Sequence, residues 1–184
     1  MQKNRLETLT DGIVAIVITI LVLNLPVPKN ASLSALTSNW RAFVVYVLTF
    51  IIILAVWFNH HVLFSISDQI NRSTYWINGC WLLCQSFLPY TASWLSRYPD
   101  NFYPGMVYIC INLIWTAAYI LLVLNLQKIN ARVRKPTKKY LLALIITFVI
   151  ELLLLFVSPI LSMVLAFGFT SYRVIKPSSS VHLY

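Results

Sequence analysis

Few side chains in this 184-residue chain can do chemistry, and most of them stand inside apolar stretches. Asp11, His60, Asn78 and Glu151 are the clearest cases. An ionisable group in such surroundings is costly and faces protein or water, so each calls for a partner. Asp11 can accept hydrogen bonds and carry charge, His60 can donate and accept, and Asn78 can bridge two groups. The whole chain has only five Asp and Glu, three His and three Cys. That is too few, and too scattered, for an active site, and phosphate-binding glycine loops and HExxH are absent. The reading is not an enzyme, with no cofactor and no metal. Cys80 and Cys84 lie one turn apart and Cys110 is distant, fewer ligands than a metal site needs. They read as small apolar packing residues.

The elements that position these residues follow from composition. Hydrophobic residues make up 59%, charged residues 10%, and the mean hydropathy is +0.77. A soluble domain is about one-quarter charged. Six apolar runs approach the length that crosses a bilayer: about 5–25, 40–66, 74–95, 102–126, 139–157 and 159–175. Lipid offers the backbone no hydrogen bonds, so each is expected to be helical. The expectation is one domain, 1–184, an all-α integral membrane protein with six transmembrane helices. A signal peptide is the competing reading of the first run. Asp11 and the lack of a nearby small-residue cleavage site argue for a retained helix.

The net charge of +9 does not point to nucleic acid, because it is concentrated. Six of fourteen basic residues fall between Lys128 and Lys139. With that loop in the cytoplasm, both termini and Arg72 lie there too, leaving only Lys29, Arg41 and Arg97 outside. Positive charge gathers on the cytoplasmic side of membrane proteins. The lipid bilayer is therefore the first partner; the 128–139 basic loop can touch anionic lipid, although topology accounts for its charge without any further function. Between the first two runs, Asn30-Ala31-Ser32 matches a glycosylation sequon, which matters only in a secretory eukaryotic setting. Tyr98, Phe102 and Tyr103 suit the outer interface. Only Ser158-Pro159 separates the last two runs, which reads as a tight hairpin or one broken helix. Residues 177–184 have the composition of a short disordered tail.

With that topology, depths compare at about 1.5 Å per residue. Asp11, His60 and Asn78 all come within about 6–9 Å of the cytoplasmic membrane edge. They can meet, the asparagine and histidine hydrogen-bonding the aspartate while Arg5 balances its charge. His61 lies about 100° round from His60 and faces headgroups or another partner. Glu151 lies about 18 Å along its helix from Lys139, where a structural hydrogen bond is favoured over a proton relay.

Beyond Asp11 the first run turns aliphatic. Ile16, Ile20 and Leu23 follow i, i+4, i+7 and form one stripe. Asp11 is about 140° from Ile16, on a different face. One helix can thus dock by its polar end while its isoleucines face elsewhere. Such a stripe is ordinarily lipid-facing or packed, although a hydrophobic constriction is also a way to gate ions.

These residues resemble a known family. Arg5-x-x-x-Leu9-Thr10-Asp11 is similar to the R-x-x-x-F-S-D signature of the transmembrane protein 175 potassium channels. WFNHH followed by LF, Trp57 to Phe64, is similar to that family's W-x-x-H…LF. Asn78 and FLPYT, Phe87 to Thr91, continue the likeness through the third run. Leu9 stands where the family has phenylalanine and Thr10 where it has serine. The resemblance implies a prokaryotic plasma-membrane channel for potassium, modestly selective, built as a homotetramer around a central pore lined by helix 1. It implies that Ile16, Ile20 and Leu23 form the constriction, with Thr19 as a polar neighbour contributing to selectivity. It further implies a structural polar network of Arg5, Thr10, Asp11, Trp57, His60 and Asn78. The alternative function is a small secondary or proton-coupled transporter, towards which only Glu151 and Pro159 lean.

Overall fold

The computed structural model of the chain describes residues 2–175. The tail at 177–184 lies outside them. Among the described residues the chain is all helical: α1 (Lys3–Leu23), α2 (Leu33–Thr37), α3 (Trp40–Ser65), α4 (Arg72–Ser86), α5 (Leu88–Arg97), α6 (Phe102–Ile129), α7 (Lys138–Leu154) and α8 (Pro159–Ile175). By length and composition α1, α3 and α6 can each cross a membrane. At 17 residues, α7 and α8 are shorter.

Local sequence sets the boundaries. At the end of α1 the backbone N–H of Asn24 returns to the carbonyls of Leu21 and Val22, and Pro26 and Pro28 prevent continuation. Asn71 and Thr74 form a reciprocal capping box that starts α4, satisfying donors that an opening helix leaves free. The third apolar run, expected as one helix, is two. Pro89 cannot donate to the carbonyl of Gln85, so α4 ends at Ser86 and α5 resumes at Leu88. Of the two arrangements open to the last runs, a hairpin or one broken helix, the structure has the hairpin. α7 packs on α8, and the Ser162 hydroxyl donates to the Glu151 carbonyl at 2.9 Å.

α1 rests on α3, α4 and α5, while α6 packs on α4, α5, α7 and α8. The main apolar cluster joins Val14, Val17 and Leu21 of α1 to α3, α4, α5 and α6 through residues such as Ile53, Trp81, Leu88 and Trp115. A second cluster closes one end of the bundle with Leu6, Leu63, Phe64, Leu122, Leu126 and Val133. At the other end Arg41 pairs with Asp100. Gly105 of α6 lets the α7–α8 turn approach closely, since a Cβ there would stand 2.6 Å from Leu155 Cδ2 and 2.9 Å from Pro159 Cβ.

Candidate functional site

α1 has two faces of opposite fate. Leu6, Thr10, Val14, Val17 and Leu21 are buried, a 4-4-3-4 spacing that keeps them on one stripe. The opposite face carries Leu9, Gly12, Ala15, Ile16, Thr19, Ile20 and Leu23, all exposed in the single chain. Ile16 is 59% exposed and Leu23 79%. Soluble or membrane-bound, a helix so apolar on its free side is built to meet lipid or another protein surface. Thr19 donates its hydroxyl to the Ile16 carbonyl at 2.9 Å, which leaves oxygen lone pairs as the polar feature of that face.

The buried face is fixed by hydrogen bonds whose directions are determined. Thr10 donates to the Leu6 carbonyl at 2.9 Å. Its oxygen must then accept from Asn78 Nδ2 at 2.8 Å. That sets the amide, so Asn78 Oδ1 faces His60 Nε2 at 2.7 Å, and the histidine nitrogen is the donor. All three residues are buried. The His60 ring is stacked against Phe64 at 4.4 Å and Trp81 at 4.6 Å. Helices α1, α3 and α4 are thereby tied at one level.

The expected partnering of the aspartate is corrected. Asp11 does not receive His60 or Asn78; it accepts from Trp57 Nε1 at 2.8 Å on an exposed flank. The reason is angular. Thr10 points into the bundle, and Asp11 is about 100° further round, towards the edge of α3. Arg5 is exposed and, among the described residues, makes no ion pair with Asp11. His61 is exposed and lies against Trp57, ring centroids 5.9 Å apart. The reading of the cysteines as packing residues holds for Cys84, which lies against the main apolar cluster, whereas Cys80 and Cys110 are exposed in the single chain. Glu151 is buried, and its main-chain carbonyl accepts from the Ser162 hydroxyl.

Sequence reasoning missed the aromatic support. Trp81 lies one turn beyond Asn78 on α4, and Phe64 one turn beyond His60 on α3. That i+3 and i+4 spacing of aromatics after a buried polar residue was the available signal. Trp81 in turn stacks on Trp115 of α6 at 5.9 Å, so the clamp on His60 reaches a fourth helix.

Fold and site together define an α-helical membrane protein whose first helix is docked on one face and bare on the other. Residues 5–89 match the model of a protein family described as the endosomal/lysosomal potassium channel TMEM175. A protein named potassium channel from Chryseobacterium sp. (strain P1-3) is 38% identical over 103 residues, 55% of this chain and 54% of that one. Another so named, from Chamaesiphon minutus, is 32% identical over 103 residues, covering 53% and 51%. The chain thus spans about half the length of the curated relatives it matches. In structure it is similar to the crystal structure of a lysosomal potassium-selective channel TMEM175 homolog from Chamaesiphon minutus. That likeness has a TM-score of 0.79 at 26% identity and covers 96% of this chain and 98% of that one. Its amino-terminal helices match the model of the TMEM175 family, and its fold is similar to that of a TMEM175 homolog. The family is one of ion channels and not of enzymes, which bears out the resemblance in the sequence and does not favour the transporter alternative.

Proposed function

We propose that this chain is a potassium-permeable, modestly selective cation channel of a prokaryotic plasma membrane, assembled as a homotetramer. Six spans (α1, α3, the broken α4–α5 pair, α6, α7 and α8) put both termini on the cytoplasmic side. Four copies of α1 surround a central axis, as closed rotational symmetry allows. The observation that carries this reading is the asymmetry of α1: one face locked by the Thr10–Asn78–His60 chain, the other apolar and exposed. Ile16, Ile20 and Leu23 then form the constriction, and Thr19 supplies hydroxyl oxygens beside it. Isoleucine is stiff at χ1, so the aperture has a defined width. Apolar side chains cannot replace an ion's hydration shell as carbonyl rings do, so discrimination rests on size and wetting and is modest. No cofactor is needed; potassium is the permeant ion.

Ile16→Asn tests the assignment in proteoliposomes. A polar ring at this position wets the constriction, and the expected result is severalfold faster potassium flux with weaker exclusion of sodium. Wild-type flux and selectivity in a variant that assembles normally would remove Ile16 from the pore.

A further inference from the structure

The segment between α6 and α7 is no part of the exposed α1 stripe, yet it concentrates charge and is held firmly. Lys128, Arg132, Arg134, Lys135, Lys138 and Lys139 fall within twelve positions, and all six are exposed. Asp68, in the α3–α4 turn, stands 3.7 Å from Arg132, with both side chains mostly in the open; such a pair offsets little. α7 opens with Lys138 and Lys139 and has no acid in its first turn. A helix dipole favours the reverse arrangement, so these two lysines gain from an anionic neighbour. The charge lies at the ends of two apolar helices, the depth at which phospholipid phosphates are found.

This loop is not a free tether. Asn130 Oδ1 accepts from the Gln69 N–H at 2.8 Å, and Asn130 Nδ2 donates to the Gln69 carbonyl at 2.9 Å. Val133, between Arg132 and Arg134, is only 3% exposed. It shares an apolar cluster with Leu6, Leu63, Phe64, Leu122 and Leu126. Leu6 is one turn before Thr10 on the buried stripe of α1. Close packing transmits small shifts, so a pull on the flanking arginines is felt at the start of α1.

We propose that the 130–139 loop binds the phosphate headgroup of anionic phospholipid, and that Val133 and Leu6 carry its occupancy to α1. The first half stands on charge and position alone; the second rests on the channel reading. Binding is tested by native mass spectrometry of the full chain equilibrated with phosphatidylglycerol or phosphatidylcholine. The wild type is expected to retain phosphatidylglycerol preferentially, and the surface variant Lys135→Gln/Lys138→Gln/Lys139→Gln to lose at least about tenfold of that preference. Equal retention of both lipids by the wild type, or an unchanged preference in the variant, would overturn headgroup binding and leave the loop to topology or to a soluble acidic partner.

Transmission is tested by potassium flux in phosphatidylcholine vesicles with and without phosphatidylglycerol. The wild type should change severalfold between them. Val133→Ala should keep the lipid and lose that response, and Asn130→Ala serves if Val133→Ala does not fold. A response equal to wild type in the loosened variant would overturn transmission. Absence of flux in every vesicle would sink the channel reading and the transmission with it, while lipid retention still decides headgroup binding.

Discussion

At the scale of single residues, Asn78 is the hinge of the account. It is fully buried and has its amide oxygen and amide nitrogen both engaged, one by His60 and one by Thr10. Asn78→Ala leaves a buried histidine N–H and a threonine oxygen without their partner. Loss of such a partner costs about 1–3 kcal/mol, read as a lowered unfolding temperature of the detergent-solubilised protein. Trp57→Phe removes a bond to an exposed carboxylate and should cost clearly less. A larger loss from Trp57→Phe than from Asn78→Ala would contradict the division into a buried chain and an exposed flank. Sequence reading recognised Asp11, His60 and Asn78 as residues of one depth, because depth follows from counting along helices. It could not assign the bonds, because neighbours on α1 differ by about 100° in direction, and a charged Asp11 attracts attention that its neighbour Thr10 does not.

Helices as units were legible where apolar runs are long and bounded by proline or polar caps, as in α1, α3 and α6. The division of the third run was not read, although Pro89 marks it; the apolar count continues across the break and conceals it. Close approach between elements was equally hidden. Gly105 looks unremarkable in its run, but it is the point where α6 admits Leu155 and Pro159. Gly105→Ala places a methyl group against a proline ring that cannot swing aside. Overpacking of this kind costs about 1–3 kcal/mol. Adding Leu155→Ala removes the nearer obstacle, at the price of a small cavity, and should recover part of the loss in a double-mutant cycle. Strict additivity of the two changes would show that α6 and the α7–α8 turn are not in contact there.

For the whole molecule, the decisive feature is what the single chain leaves unfinished. A helix whose free side is Leu9, Gly12, Ala15, Ile16, Ile20 and Leu23, with Thr19 as the polar exception, is poorly suited to ending at water. Its other side is tied to α3 and α4 at one level and packed on α5. In the proposed tetramer the two faces would become a support and a pore wall, which would account for one segment carrying both polar docking residues and a stiff aliphatic stripe. Assembly should therefore be visible in solution: the purified chain is expected to run as a tetramer, and a stable monomer would contradict the pore. Conduction itself is the most direct test. In a planar bilayer with potassium on one side and sodium on the other, the account predicts a current that reverses towards the potassium equilibrium potential without reaching it. A verified tetramer that passes no current, or one whose current reverses at zero or towards sodium, would contradict it.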